Sequence, residues 1–327
     1  MMEDEDHVKA LVQDAYGDPR RVLRLAEVDK PTMADDQVLV RVMASSINSG
    51  DWRRVRARPW LVRLFEGWRR PRTGLLGGDA AGEAEAVGRD VEGIVPGDQV
   101  FGLRSGALAE YVAGKSFIVK PANLSFEQAA AVPIAGVTAL QALRERGGVK
   151  AGERVLVNGA GGGVGSYAVQ IAKALGGTVT AVTSTDKLEL ARSLGADEVV
   201  DYRRQDFTRR EERYDVIVDC GGNRSVRAFR SVLRPGGRLV LVAAGTGLFG
   251  ALGRFIGSQV RRRLLKQPVI NFIASGPYGE QLATLKELIE SSKVRPVIDR
   301  TYSLEQAAEA FLYAETERTA GKVVIRI

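Results

Sequence analysis

Residues 154–175 read Arg154-Val-Leu-Val-Asn-Gly-Ala-Gly-Gly-Gly-Val-Gly-Ser-Tyr-Ala-Val-Gln-Ile-Ala-Lys-Ala-Leu175. Residues 154–158 form a strand apolar enough to be buried on both faces. Val164, Ala168, Ile171, Ala172 and Leu175 then recur at helical spacing, which predicts a helix over 164–175. Between the two lies Ala160-x-Gly162-x-x-Gly165, the small-residue fingerprint of a turn that cradles a dinucleotide pyrophosphate, with Ala at its first position. Gly162 lets the backbone approach the phosphates and Gly165 lets the helix pack on the strand. The helix N-terminus supplies free N–H groups and a positive dipole end. Ala160, Gly161, Gly162, Gly163, Val164 and Gly165 are the candidate cradle. A merely flexible loop is the alternative, and the strand–turn–helix setting disfavours it.

Strand and helix continue to alternate: strands at 178–183, 198–200, 214–219 and 238–243, helices at 187–194 and from about 225. Repeated βα units predict a doubly wound parallel sheet. The first ~125 residues are different, with short alternating strands such as 38–43 and glycines clustered at 74–88. This region is β-rich. A strand at 269–273, a helix at 278–291 and strands at 297–301 and 322–327 finish the chain.

The end of the second parallel strand carries an acid when the ribose 2′-hydroxyl is free. Here it carries Thr183 and Ser184, followed by Lys187. Hydroxyls and a cation suit a 2′-phosphate, which predicts NADPH over NADH, although Asp186 opposes that reading. Two charge-assisted contacts of about 1.5–3 kcal/mol each would give a preference of 10²-fold or more. A solvated helix position is the plain alternative for Lys187.

Composition removes much other chemistry. The chain has 327 residues, 45% hydrophobic and 27% charged, a soluble globular profile of two-domain size. The single cysteine, Cys220, excludes an internal disulfide and a cysteine zinc site. The single histidine, His7, makes a histidine metal cluster or a Ser-His-Asp triad improbable. The uncharged run 128–143 is broken by Pro133 and Gly136 and is shorter than a transmembrane segment. The acidic N-terminus does not read as a signal peptide, so a cytoplasmic location is expected.

The net charge of +7 equals that of residues 52–72 alone. Eight arginines, one acid (Glu66) and all three tryptophans (Trp52, Trp60, Trp68) lie there. A solvated loop with aromatics capping a pocket, a basic mouth for an acidic substrate, a membrane-facing surface and an RNA-stacking face all fit the composition. Nucleic acid is the least expected partner, and Pro59 and Pro71 break any long helix, which counts against the membrane reading.

The glycine turn with Ala168-x-Gln170-x-Ala172 resembles the medium-chain dehydrogenase/reductase superfamily. Ser193-Leu-Gly-Ala-Asp197 before Asp201-Tyr202, Pro96-Gly-Asp-Gln-Val-Phe-Gly102, Ala109-Glu-Tyr-Val112, Pro133-x-Ala-Gly-x-Thr138 and Gly321-Lys-Val-Val fit as well, in family order. Zinc-dependent members carry cysteine where this chain has Asn48 and histidine where it has Gly78, and the four-cysteine zinc lobe is missing. The chain therefore resembles the zinc-independent quinone oxidoreductase, or zeta-crystallin-like, branch.

That resemblance implies an α/β fold in which a Rossmann domain (129–268) is inserted into a β-rich GroES-like catalytic domain (1–128 and 269–327). It implies NADPH without zinc, a quinone or enone substrate and a homodimer. Ser184, Lys187 and Tyr202 match positions that hold the 2′-phosphate, with half-buried packing as the alternative for Tyr202. Thr138 and Asn48 match positions beside the nicotinamide. Ala243, Ala244, Gly245, Phe272, Ile273 and Ala274 sit at cofactor-lining strand ends. Arg318 lies near a C-terminal basic position. The expected reaction is hydride transfer to a quinone or to the β-carbon of an enone. Asn48 would orient the carbonyl, and water or a hydroxyl, Ser49 being nearest in sequence, would supply the proton. Asp51 reads as a loop-fixing carboxylate. A non-catalytic NADPH-binding protein that uses residues 52–72 for a partner is the other class.

Overall fold

The computed structural model describes residues 7–58, 60, 62–242, 268–271, 274 and 276–327. The chain divides into two compact units. One comprises Met1–Ile134, Gly276–Glu290 and Pro296–Ile327, and the other Ala135–Ser275 and Ser291–Arg295.

The second unit is built on a six-stranded parallel sheet. Its order is Glu198–Asp201, Thr178–Thr183, Arg154–Asn158, Tyr214–Asp219, Leu233–Leu241, Val269–Asn271. In sequence order of strands this is 3-2-1-4-5-6, so the direction of winding reverses between Arg154–Asn158 and Tyr214–Asp219. Crevices at such reversals, at the carboxyl ends of the strands, are where this architecture takes ligands. Leu156, Val182, Ile217 and Leu239 project from four strands into one apolar cluster with Phe207 and Phe229. Two expectations change in detail. The strand at 269, read from sequence as part of the β-rich domain, pairs with Leu233–Leu241 and is the sixth strand of this sheet. The helix expected at 187–194 begins as a 3-10 turn, Thr185–Lys187, before helix Leu188–Ser193.

The first unit contains a seven-stranded sheet with Val38–Ile47 at its centre. Asp79–Val87 pairs antiparallel along residues 38–46 of that strand, and the terminal strand Lys322–Arg326 pairs antiparallel along residues 44–47. The end of the chain therefore completes a sheet begun near residue 38. Valines of Val38–Ile47 alternate into an apolar cluster with Ala80, Ala84, Val100 and Phe117. At Gly82 an added Cβ would stand 1.9 Å from Arg41 O, so strand contact there demands glycine. No described helix is long and apolar enough to cross a membrane.

Candidate active site

The glycine turn is shaped by backbone. Gly159 and Ala160 both donate to Val182 O, at 3.0 Å each, which ties the turn to the neighbouring strand end. A Cβ at Gly165 would meet Gly159 O at 2.0 Å, so the helix Gly163–Ala174 packs on the turn only because Gly165 has no side chain. A Cβ at Gly162, the N-cap, would meet only Gly159 O at 3.5 Å, which leaves that backbone accessible. These two glycines have the separate roles that a pyrophosphate cradle needs. Across the winding reversal, the Asn158 amide donates to Asp219 at 2.8 Å and to Asn223 at 2.9 Å, while Asp219 accepts the N–H groups of Gly221 and Gly222. The two loops that flank the crevice are thus locked together. Burial and the neighbouring Asp219 charge push the Cys220 thiol far up, which disfavours its thiolate form.

The residues expected to distinguish NADPH from NADH lie beside this turn. A Cβ added at Gly161 would stand 2.6 Å from Lys187 Cδ and 2.7 Å from Thr183 Oγ1. Lys187 lies along the cradle and is buried, as are Thr183 and Ser184, which removes the solvated-helix reading of the lysine. Asp186 does not oppose an anion alone, because Arg203 pairs with it at 3.2 Å. The acid at the end of the third strand, Asp201, is committed to Thr185 Oγ1 at 2.6 Å and to the Arg203 N–H at 2.9 Å. Tyr202 donates its backbone N–H to Thr183 O and leaves its ring partly exposed. The turn, the buried lysine and two buried hydroxyls fit a phosphorylated dinucleotide. Thr138 is buried on helix Pro133–Leu140. Ala243, Ala244, Gly245, Phe272 and Ile273 lie outside the described residues, and Ala274 is half-buried.

In the other unit, Asn48 is the N-cap of helix Ser49–Arg56. The Asp51 carboxylate accepts the Asn48 backbone N–H at 2.7 Å and fixes the entry to the helix. Loss of solvation, reinforced by the Asp79 charge, raises Asp51 to about 6, while the Asn48 N–H works against that rise. Trp52 and Val55 anchor the same helix in an apolar cluster with Leu76, Leu108 and Phe311. Ser49 is exposed on the first turn.

The Asn48 side chain belongs to a buried polar cluster that the sequence did not reveal. Register pairs Val323 with Ile47, which brings the preceding Lys322 to Asn48. Lys322 Nζ donates to Asn48 Oδ1 at 2.5 Å, Ile47 O at 3.3 Å and Asp79 Oδ2 at 3.3 Å. Asn48 Nδ2 donates to Asp79 Oδ2 at 2.8 Å. Asp79 also accepts from Ser46 Oγ at 2.5 Å and from the Ile134 N–H at 2.7 Å. An ammonium has three donors, and all three are used. The lysine therefore keeps no N–H for a ligand. With Oδ1 oriented by a cation and one N–H held by a carboxylate, Asn48 keeps its second N–H as a donor for a ligand. Asp79 and Lys322 are functional candidates to which the sequence alone assigned no role. The available signal was a charge directly ahead of a short uncharged run in each of two strands, residues 80–82 and 323–325, because buried charges require partners. At Gly78 an added Cβ would meet Ile134 Cδ1 at 2.5 Å, so a side chain there would need Ile134 to shift. No group of three metal-ligating side chains occurs among the described residues.

The basic stretch splits in two. Arg53 pairs with Glu317 at 2.9 Å, Arg56 with Glu315 at 2.7 Å, and Arg54 with Glu66 at 3.1 Å and with the Leu75 carbonyl at 3.1 Å. Arg63 lies over the Tyr16 ring. These four are internal clips. Arg69, Arg70 and Arg72 are exposed, and Arg318 is exposed on the turn after helix Ala307–Glu315.

Residues 34–123 match the family described as "Alcohol dehydrogenase GroES-like domain", and residues 194–325 match "Zinc-binding dehydrogenase". The chain is 36% identical to 2-methylene-furan-3-one reductase of Solanum lycopersicum, over 93% of this chain and 75% of that protein. It is 34% identical to an NADPH-dependent alkenal/one oxidoreductase, chloroplastic, of Arabidopsis thaliana, over 97% and 79% of the two chains. Among solved structures, a quinone oxidoreductase from Coxiella burnetii superposes with a TM-score of 0.85 at 30% identity, covering 98% of this chain and 99% of that one. With a parallel dinucleotide sheet in one unit and a GroES-like match in the other, the chain belongs to the medium-chain dehydrogenase/reductase superfamily, among relatives named as quinone and enone oxidoreductases.

Proposed function

We propose that this protein is an NADPH-dependent reductase of quinones or of the activated C=C of enones. The observation that carries the reading is the fixed amide of Asn48, whose oxygen is taken by Lys322 and whose remaining N–H is left as a donor. A carbonyl oxygen conjugated to an alkene gains negative charge as hydride adds at the β-carbon. A preoriented N–H donor meets that charge with no reorganisation at the moment of reaction.

NADPH, when bound, supplies the hydride. Gly162 and the helix N-terminus would hold its pyrophosphate, and Ser184, Lys187 and Tyr202 its 2′-phosphate. Ala160, Gly161, Gly163, Val164, Gly165, Thr138 and Ala274 complete the cofactor contacts we propose. The proton at the α-carbon comes from water or from the exposed Ser49 hydroxyl. An alkene or quinone is already electrophilic, so orientation of the substrate supplies much of the acceleration. Zinc is not part of the proposal: one histidine and one cysteine in 327 residues offer too few of its usual ligands. Cytoplasmic location fits the same cysteine count, and a homodimer follows from the resemblance alone.

The test is NADPH consumption with 1,4-naphthoquinone, 9,10-phenanthrenequinone, simple enones and enoyl-CoAs, with NADH and primary alcohols as controls. Turnover of a quinone or enone, with NADPH preferred, supports the reading. Tight NADPH binding with no turnover across the panel replaces it with a cofactor-binding protein that lacks this activity.

A further inference from the structure

Five large hydrophobic side chains are exposed among the described residues, and three of them fall within nine positions: Trp60 (49%), Leu64 (51%) and Trp68 (63%). They belong to a short knuckle around helix Val62–Glu66. Gly67, at φ +123°, turns the chain so tightly that an added Cβ would stand 2.2 Å from Arg70 O. The Arg72 N–H closes the turn on Glu66 O at 2.6 Å, and Tyr16 Oη donates to Gly67 O at 2.8 Å. The knuckle is thus held in place, yet its tryptophans face outward, packed edge-to-face with their ring centres 6.4 Å apart. Arg69, Arg70 and Arg72 are exposed beside them in sequence, with no acidic partner among the described residues. Exposed apolar side chains grouped in this way mark an interaction site.

We propose that this knuckle docks the protein on an anionic lipid bilayer. Charge and side-chain type decide the partner. Tryptophan is the residue of the bilayer interface, where its amphipathic ring sits at headgroup level. Arginines at its side meet anionic headgroups. The alternative of single-stranded RNA asks for open aromatic faces in a row. Here one tryptophan edge closes on the other's ring face, and the third exposed group is leucine, which has no face to stack. The docking element is a compact turn and not a long amphipathic helix, so Pro59 and Pro71 do not count against it. The inference does not depend on the proposed reaction, since vesicle binding is measured without substrate.

Trp52 is buried, so Trp60 and Trp68 are the tryptophans whose emission reports contact. The intact protein is mixed at low salt with phosphatidylcholine vesicles and with phosphatidylcholine–phosphatidylglycerol vesicles. Blue-shifted emission and a bound fraction about tenfold higher on the anionic vesicles, lost as salt is raised, are expected. The combined Arg69→Glu, Arg70→Glu and Arg72→Glu variant should lose that tenfold gain at an unchanged melting temperature. A Trp60→Ser/Trp68→Ser variant should bind several-fold more weakly. Equal binding to both vesicle types, or wild-type binding by the charge-reversed variant, overturns the proposal. So does a single-stranded RNA oligonucleotide that shifts the emission where vesicles do not.

Discussion

The Lys322 ammonium stands 2.5 Å from Asn48 Oδ1, delivered there by a strand 274 residues further along the chain. Lys322 is 3% exposed and its partner Asp79 is fully buried. Removing one member of such a pair leaves the other as an uncompensated buried charge. Lys322→Met should destabilise the protein by about 3–5 kcal/mol in denaturant unfolding. Lys322→Met/Asp79→Asn should recover part of that loss, because the neutral amide no longer needs a cation. Equal stability of the single variant and the wild type would show that the pair is not buried as described.

Asn48 should matter for turnover and little for cofactor affinity. Asn48→Ala removes the N–H donor, and Asn48→Asp replaces it with an acceptor beside Asp79. Both should lower kcat by about 10- to 10³-fold, the range for loss of one preoriented donor to a developing oxyanion. The Kd for NADPH should change less than about threefold, a difference of under 1 kcal/mol. Unchanged turnover in Asn48→Ala sinks the role assigned to this amide.

The two turn glycines should separate folding from binding. In Gly165→Ala the new methyl would stand 2.0 Å from Gly159 O, so the turn or helix must move. A lowered melting temperature of the cofactor-free protein is expected. In Gly162→Ala the methyl meets only an ordinary contact at 3.5 Å. That variant should melt within a degree or two of wild type but bind NADPH at least tenfold more weakly, as the methyl fills the path of the phosphates. If both variants keep wild-type affinity, the pyrophosphate lies elsewhere.

Lys187 should carry the choice between the two nicotinamide cofactors. Lys187→Met keeps the aliphatic stem along Gly161 and removes the charge. A charge-assisted hydrogen bond of about 1.5–3 kcal/mol translates into a 10- to 150-fold weaker NADPH Kd. NADH affinity should stay near its original value. Parallel titration of both cofactors checks this, and an equal loss for the two would make Lys187 a general structural support of the turn.

The parallel sheet and its cradle were legible because their signals are local. Apolar runs, helical spacing and a glycine turn all fall within about 30 residues, and strands 154–158, 178–183 and 214–219 occur at those bounds. The polar cluster was not legible, because Ser46 and Asn48, Asp79, Ile134 and Lys322 come from four separated segments. Only sheet register joins them, and register across 274 residues has no signature in a single sequence. The basic stretch misled for a related reason. Composition gave eight equivalent arginines, whereas Arg53 and Arg56 are matched by acids some 260 residues away and Arg54 by Glu66 nearby. Placement of the sixth strand failed because Val269–Asn271 is only three residues long. Pairing, not pattern, assigns so short a segment to one sheet or the other.

Asp51 sets a pH dependence of stability whose sign is opposite to that of a salt-bridged carboxylate. Its native value of about 6 lies above its ordinary 3.8, because burial penalises the ionised form. Between those values the native state keeps a proton that the unfolded chain has released. Stability from this group is therefore full below about pH 4, falls as the pH rises toward 6 and is lost above it. Asp51→Asn keeps an oxygen acceptor for the Asn48 N–H and removes the titration. The melting temperature of the Asn variant, relative to wild type at the same pH, should thus climb by a few degrees between pH 4 and 7. Other titrating groups cancel in that difference. A constant offset across the range would mean that Asp51 ionises at its ordinary value, in contact with solvent.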